Sequence, residues 1–164
     1  MTINIEDLQA KSQKLFDKLN QKNLTISCAE SCTGGLLSFI LTSPSGASNI
    51  FKQSYITYSN EAKNKILGIE NQVFQDFGAV SSNCANLMAK SVSKITNCDV
   101  AIAISGIAGP NSDDSNKKVG LVFISICLKN SQSKSYQFNF TGNRNLIRIK
   151  SVDKTLSIID DTVS

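Results

Sequence analysis

The chain of 164 residues contains no histidine. This absence excludes Ser-His-Asp and Cys-His catalysis and every histidine-ligated metal site. A nucleophilic serine in this chain therefore needs another base to activate it. The sequence also has no apolar run of transmembrane length, and its N-terminal residues lack the apolar core of a signal peptide. We therefore expect a cytoplasmic protein without a membrane partner.

The charge and cysteine contents exclude further classes of function. Seventeen basic and thirteen acidic residues give a net charge of +4, and the basic residues are scattered along the chain. This pattern is compatible with a small anionic ligand but does not indicate a nucleic-acid partner. The five cysteines include no C-x-x-C pair, so neither a disulfide framework nor a zinc site is indicated. Free, buried thiols in a reducing cytosol are expected.

The order of the apolar patterns predicts the fold. A hydrophobic content of 41% and a charged content of 18% are typical of one soluble domain, here residues 1–164. The patterns read helix, strand, helix, strand, helices, strand, strand, strand, helix. The early strands are joined by helices and should be parallel, whereas the last three are joined by loops, so the fourth should run antiparallel to both neighbours. The predicted fold class is α/β, a three-layer α/β/α sandwich with a five-stranded mixed sheet.

Residues 25–35 are the stretch around which the chain is organised. Residues 24–29 are apolar or small, residues 30–35 are hydroxyl-rich and contain two glycines, and residues 36–41 are apolar again. This pattern predicts a buried strand, a tight turn and a helix. Free N–H groups of such a turn lie at the positive end of the helix dipole, where an anion or the oxyanion of acyl transfer can bind. A capped helix start with two loop glycines explains the spacing equally well.

Two other segments should meet this turn at one edge of the sheet. Residues 105–110 form a second glycine-bearing turn after the strand predicted at 100–104, and residues 58–63 follow the second strand. Ligands of open α/β sheets bind outside the carboxyl ends of the parallel strands. The three segments are therefore candidates to share one pocket.

Three side chains of these segments are candidates for chemistry without histidine. Ser31 is the candidate nucleophile, Lys63 the candidate base if desolvation lowers its pKa, and Tyr58 a candidate proton relay. Each also has a structural interpretation. Ser31 fits a helix N-cap, Lys63 a solvated helix residue and Tyr58 a half-buried strand aromatic. Spacing alone favours these structural roles.

Two neighbours of Ser31 have alternative interpretations as well. Glu30 is a candidate to orient a hydroxyl or amide of a ligand, or else a carboxylate that faces the helix dipole. Cys32 is a rival nucleophile at the same helix start, but the chain offers no histidine to activate it. Ser31 is therefore preferred.

Two charged pairs lie outside these segments. Arg144 and Arg148 are four residues apart at the start of the last predicted helix, where they could clamp a phosphate or serve solubility. Asp113 and Asp114 resemble a carboxylate pair, but they fall in a polar loop. We interpret them as solvated loop charges rather than as a metal site.

Four motifs in order give the chain a resemblance to a known family. It resembles the CinA C-terminal domain family, the nicotinamide-nucleotide amidohydrolases of the PncC type, over nearly its whole length. The motifs are A-E-S-C-T-G-G at residues 29–35, T-Y-S-N-E-A-K at 57–63, G-A-V-S at 78–81 and S-G-I-A-G-P at 105–110. In many relatives a larger N-terminal domain precedes this one, whereas here the domain is expected to stand alone.

The resemblance implies a substrate and a reaction. The family hydrolyses the carboxamide of nicotinamide mononucleotide to nicotinate mononucleotide and ammonia. Ser31 falls on its nucleophile, and Tyr58 and Lys63 fall on its catalytic partners. The resemblance implies no metal and no cofactor. It does imply a homodimer or higher homo-oligomer. The implied substrate-binding residues are Glu30, Thr33, Gly34, Gly35, Ser105, Gly106, Gly109 and Arg144.

The chain departs from the family pattern at two places. The loop at residues 111–118 lacks the usual glycines and proline, and Gly142-Asn143-Arg144 replaces Gly-Asp-Arg. Two alternatives to the deamidase therefore stay open. One is a non-catalytic pyridine-nucleotide-binding module, and the other is an amidase for another small carboxamide.

Overall fold

The computed structural model describes residues 3–112 and 116–164. Within these ranges the chain forms six α-helices and one five-stranded sheet. The helices are α1 (Ile5–Gln21), α2 (Leu36–Leu41), α3 (Asn60–Leu67), α4 (Asn71–Asp76), α5 (Ser82–Thr96) and α6 (Arg144–Thr162). The strands are β1 (Ile26–Glu30), β2 (Phe51–Ile56), β3 (Val100–Gly106), β4 (Leu121–Leu128) and β5 (Lys134–Asn139).

The sheet has the predicted mixed topology. Its strand order is β2-β1-β3-β4-β5. Strand β1 is parallel to both β2 and β3, and β4 is antiparallel to both β3 and β5. The prediction of a five-stranded sheet with its fourth strand antiparallel is therefore confirmed. The carboxyl ends of β1, β2 and β3 lie side by side at one edge.

Alternation along the central strands separates two cores. Ile102 and Ile104 of β3 join the larger core, which α1, α2 and α6 cover. Ala101 and Ala103 face the smaller core, which is covered mainly by α5. Successive side chains of a strand point to opposite faces, so large residues fill one side while small residues let α5 approach the other. This arrangement gives the predicted three layers.

Helix caps fix where the site-bearing segments begin. The Ser59 hydroxyl accepts from the N–H of Ala62 at the start of α3, and the Ser81 hydroxyl accepts from the N–H of Cys84 at the start of α5. Both interactions satisfy an otherwise unpaired donor of the first helical turn.

Strand β3 is longer than predicted. Ser105 and Gly106 belong to the strand because they pair with Phe123 and Val122 of β4. The sequence pattern placed both residues in a turn after Ile104. The antiparallel partner, which periodicity within one strand does not reveal, extends the ladder by two residues.

Among the residues described, none of the helices has both the length and the apolar character needed to cross a bilayer. The five cysteines are buried and form no disulfide.

Candidate active site

The three predicted segments surround one open cavity of about 630 Å³ at the carboxyl ends of β1, β2 and β3. The N–H of Thr57 donates to the carbonyl oxygen of Glu30 at 2.9 Å, so the end of β2 stays beside the end of β1. The N–H of Ser31 donates to the carbonyl oxygen of Ile104 at 3.0 Å, which joins β1 to β3 in the same way. Predicted site residues that line the cavity are Ser31, Tyr58, Lys63, Ser105, Gly106, Gly109 and Arg144.

Ser31 and Lys63 lie in direct contact in the wall of this cavity. The Nζ of Lys63 is 3.1 Å from the Oγ of Ser31 and 2.8 Å from the carbonyl oxygen of Thr57. Only 1% of Lys63 is exposed to solvent, although a lysine on a short polar helix would ordinarily extend into water. The structure therefore brings together the predicted nucleophile and its predicted base.

The surroundings of Lys63 favour its neutral form. Burial lowers the pKa of Lys63 from its ordinary value of 10.5, and the thiols of Cys84 and Cys32 oppose this shift. The carbonyl oxygen of Thr57 can only accept, so a neutral amine donates one hydrogen to it and can turn its lone pair toward Ser31. A lysine in this state can act as a general base.

Glu30 occupies the N-terminus of α2. Its carboxylate accepts hydrogen bonds from the N–H groups of Gly35, Leu37 and Ser38 at 3.1, 3.0 and 2.8 Å, and a further one from the Ser38 hydroxyl. The side chain is 0% exposed and is not part of the cavity lining. The structure thus gives the Glu30 carboxylate a structural role at the start of α2, and its predicted contact with substrate stays a prediction. The carboxylate satisfies the free donors of the helix and neutralises its dipole.

The turn after β1 consequently offers fewer donors to a ligand than the sequence suggested. The N–H of Gly34 donates to the carbonyl oxygen of Ser31 at 3.0 Å, and the N–H of Gly35 is held by Glu30. In the described part of the chain, neither Cys32 nor Thr33 donates its N–H to a backbone carbonyl oxygen. Of the two, only Cys32 lines the cavity, so its amide, directly after Ser31, is the remaining candidate donor to an oxyanion.

The remaining predicted residues of this turn lie outside the cavity lining. Thr33 is buried, whereas Gly34 is exposed and Gly35 is half-buried, and none of the three lines the cavity. The Nε and one terminal nitrogen of Arg148 donate to the carbonyl oxygen of Thr33 at 3.2 and 2.7 Å. The implied role of these three residues in the nucleotide pocket stays a prediction.

Arg144 and Tyr58 form a polar bridge at the rim of the cavity. Arg144 donates to the Tyr58 hydroxyl at 2.8 Å and to the carbonyl oxygen of Gly109 at 2.7 Å. Tyr58 is 58% exposed, and its hydroxyl contacts neither Ser31 nor Lys63 among the described residues. The structure thus places the predicted relay at the rim, apart from the Ser31–Lys63 pair. It also separates Arg144 from Arg148, which holds Thr33 and is no part of a clamp.

Ser105, Gly106 and Gly109 shape the opposite wall. The Ser105 hydroxyl donates to the carbonyl oxygen of Ala79 at 2.7 Å. A Cβ atom on Gly106 would lie 2.8 Å from the carbonyl oxygen of Leu121, and one on Gly109 would lie 2.7 Å from a methyl group of Val119. Both glycines are therefore required by the close approach of neighbouring chain.

The rival nucleophile Cys32 is poorly suited to react. Burial raises the pKa of the Cys32 thiol to about 12, so the thiol stays protonated near neutral pH. The thiolate is the reactive form of cysteine. Ser31, which has a base in contact, is the better nucleophile.

Several lining residues were not singled out from the sequence. Asn60, Phe74, Asn111 and Ser112 line the cavity, as do Gly78, Ala79 and Val80. The last three belong to the third motif of the family resemblance, and this motif was the available sequence signal for their place in the cavity. No role was assigned to it because a segment between two helices gives no indication of which sheet edge it meets.

The structure gives no separate candidate for a metal site. Within residues 3–112 and 116–164, no three histidine, cysteine, aspartate or glutamate side chains cluster in a way that could hold a metal ion. Asp113 and Asp114 lie outside the described residues.

Comparison with known proteins identifies the family of the chain and several relatives. A model of the CinA C-terminal domain matches residues 8–163. The chain is 41% identical over 157 residues to a competence-damage inducible protein of Caldicellulosiruptor saccharolyticus, covering 96% of this chain and 38% of that protein. It is 43% identical over 137 residues to a CinA-like protein of Fervidobacterium nodosum, covering 84% of this chain and 33% of that protein. The chain thus spans about a third of the length of these curated relatives.

The fold also matches a solved structure of similar size. The competence or damage-inducible protein of Enterobacter asburiae superposes with a TM-score of 0.90 at 30% identity, covering 99% of both chains. The names of these proteins state no reaction.

Proposed function

We propose that this chain, which belongs to the CinA C-terminal domain family, is an amidohydrolase that acts on nicotinamide mononucleotide. The products are nicotinate mononucleotide and ammonia. The observation that carries the proposal is the buried contact of 3.1 Å between the Nζ of Lys63 and the Oγ of Ser31 in the cavity wall. Burial of a lysine without a carboxylate partner costs free energy. A role as catalytic base accounts for such a lysine in a cavity wall.

The first half of the reaction forms an acyl-enzyme. Neutral Lys63 takes the proton of the Ser31 hydroxyl while Oγ attacks the carboxamide carbon. The N–H group of Cys32, the lining residue directly after Ser31, donates to the oxyanion that develops on the carboxamide oxygen. Lys63 then passes its proton to the departing nitrogen, the C–N bond breaks, and ammonia leaves with Ser31 bound as an ester.

The second half of the reaction uses the same groups in reverse. Lys63, neutral again, takes a proton from water, and the oxygen of that water attacks the ester carbon. The bond to Ser31 breaks, and the Ser31 oxygen recovers the proton from Lys63. The enzyme returns to its starting state, and the product is a carboxylate.

The charge of the cavity supports an anionic substrate. Arg144 is a cationic side chain among the described lining residues, and no carboxylate is. Arg144 uses one N–H for Tyr58 and another for Gly109, and a guanidinium has five N–H donors in all. Its free donors at the rim suit a phosphate monoester. A neutral carboxamide without phosphate would leave these donors unused.

The test is ammonia release from nicotinamide mononucleotide by the intact protein and by Ser31→Ala. We expect Ser31→Ala to lower kcat by at least about 10³-fold while binding of the nucleotide persists in calorimetry. The matched control is Ser27→Ala, since Ser27 is a buried serine on β1, the strand that leads into Ser31, and its hydroxyl has no partner. This control should keep full activity.

Other outcomes would decide for the alternatives. Binding without ammonia release by the intact protein would contradict the enzyme and favour a nucleotide-binding module. Release from nicotinamide or nicotinamide riboside at the same kcat/KM as from the mononucleotide would contradict the phosphate-bearing substrate. That result would favour an amidase for another small carboxamide.

A further inference from the structure

The turn at residues 77–80, which joins α4 to α5, is held in an unusual way. Three of its residues line the cavity. Each of its four carbonyl oxygens accepts a hydrogen bond from a side chain. Lys117 donates to Phe77 at 3.0 Å and to Val80 at 2.6 Å, Ser81 donates to Gly78 at 2.9 Å, and Ser105 donates to Ala79 at 2.7 Å. The turn is therefore positioned by donors from three different parts of the chain.

Lys117 supplies two of these four bonds from a distant segment. It lies in the stretch between β3 and β4, some way after Gly109 and 37 residues from Val80. A hydrogen bond to a charged donor is about twice as strong as one between neutral groups. Lys117 therefore contributes more to the position of the turn than either serine does.

The backbone at Gly78 leaves room for the ammonium group. A Cβ atom on Gly78 would lie 2.9 Å from the Nζ of Lys117, and the φ angle of this residue is +78°. Both the space and the left-handed conformation favour glycine at this position. The sequence of the turn is thus adapted to receive the lysine.

Lys117 also contacts a second lining segment. Its carbonyl oxygen accepts a hydrogen bond from the hydroxyl of Ser112, which lines the cavity. Lys117 itself is not a lining residue. It therefore connects two lining segments without lining the cavity itself.

We propose that Lys117 is a positioning residue that sets the shape of the substrate-binding cavity by binding the 77–80 turn. This inference rests on the proposed function. The inference extends that function by assigning a role in substrate binding to the segment in which this chain departs from its family. Lys117 acts on substrate binding and takes no part in the chemistry at Ser31.

The test compares Lys117→Met with Lys118→Met, because the adjacent lysine is exposed and its side chain has no partner in the described structure. Both variants lose one positive charge. We expect Lys117→Met to raise KM for nicotinamide mononucleotide about tenfold with kcat changed by less than about threefold. Lys118→Met should leave both constants unchanged. Lys117→Arg, which keeps the charge and the donors, should recover most of the loss.

A second readout does not require activity. Amide hydrogen exchange in a peptide that spans residues 77–85 should be faster in Lys117→Met than in the intact protein or in Lys118→Met, because local opening governs exchange. If the intact protein proves inactive, the proposed function fails while this measurement still tests the position of the turn.

Four results would overturn the inference. One is an unchanged KM with unchanged exchange in Lys117→Met. A second is a fall in kcat at constant KM, which would place Lys117 in the chemistry. A third is an equal effect of Lys118→Met, and the fourth is a KM difference that vanishes at high salt. Either of the last two would show that the charge, and not the contact, is what matters.

Discussion

The two glycine-bearing strand ends of this molecule look alike in sequence and differ in what they do. The turn after β1 contains Ser31 and directs its hydroxyl to Lys63. The end of β3 contains Gly106 and Gly109, and the glycines there admit neighbouring chain rather than a ligand group. The first strand end carries the reactive atoms, and the second supplies the wall against which a substrate can rest. A glycine at a strand end therefore indicates that another group lies close to the backbone. Only the neighbouring side chains indicate whether that group is a ligand or another segment of the protein.

The physical difference lies in where the polar groups of each turn are satisfied. At β1, the carboxylate of Glu30 collects three backbone donors of α2, and Arg148 fixes the carbonyl oxygen of Thr33. Within this turn, Ser31 and Cys32 are the residues that line the cavity. At β3, pairing with β4 satisfies the backbone through Gly106. Three substitutions test this contrast, beginning with the largest expected effect.

Lys63→Met should abolish the chemistry of the first turn without disturbing the fold. Methionine has a similar length and volume and needs no hydrogen bond, so the helix should keep its place. We expect kcat to fall by on the order of 10² to 10⁴-fold, the range for loss of a general base. The measurement is ammonia release, with circular dichroism to check the fold. Retention of more than about a tenth of the activity would contradict Lys63 as the base.

The lowered pKa of Lys63 adds a pH dependence with a definite sign. Activity should rise with pH as Lys63 loses its proton, at a pKa below 10.5. Between that lowered pKa and the ordinary value, the unfolded chain binds a proton that the native state has released, so the free energy of unfolding rises with pH. Urea titrations across this window should show the rise in the intact protein and not in Lys63→Met. A free energy of unfolding that falls across the window would contradict the shift.

Glu30→Ala should test how firmly the first turn is anchored. The substitution leaves the buried N–H groups of Leu37 and Ser38 without acceptors. We expect a loss of about 3 kcal/mol or more in the free energy of unfolding, since each unpaired buried donor costs about 1–3 kcal/mol. The matched control is Glu61→Ala, because Glu61 is an exposed carboxylate paired with Lys65 at 2.7 Å. That loss should stay under about 0.5 kcal/mol, and an equal loss in both variants would contradict the anchoring role.

The sequence predicted the sheet and the Ser31–Lys63 contact for one reason. Helical connections imply parallel strands, and parallel strands bring their carboxyl ends to one edge. Residues 32 positions apart in the chain are thereby placed together. The family resemblance agrees with this placement, and family membership is confirmed by the comparisons. The single domain, the homo-oligomer and the reaction stay predictions.

The misplaced residues show what one-dimensional spacing omits. Strand alternation puts Glu30 on the face of Ile26 and Cys28, under α2, and this signal was available in the sequence. The position of Tyr58 was not predictable in this way. Its hydroxyl is held by Arg144, 86 residues later, and nothing local to either residue indicates that contact.

The smallest of the three effects concerns the second strand end. Gly106→Ala would place a Cβ atom 2.7 Å from a methyl group of Val122 and 2.8 Å from the carbonyl oxygen of Leu121, so β4 has to shift. Overpacking of this kind costs about 1–3 kcal/mol. The comparison variant is Gly68→Ala, where a Cβ atom meets nothing within 4 Å and only the left-handed backbone is strained.

The two glycine variants differ in what they should do to the cavity. Gly106→Ala moves a lining wall, so KM should rise together with the loss of stability, as measured by urea unfolding and by ammonia release. Gly68→Ala lies at the end of α3, away from the lining residues, and should cost about 1 kcal/mol of stability with KM unchanged. If Gly106→Ala left both quantities unchanged, the close approach of β4 would not be what requires glycine at the end of β3. The proposed difference between the reactive turn after β1 and the cavity wall at the end of β3 would then have no physical basis at β3.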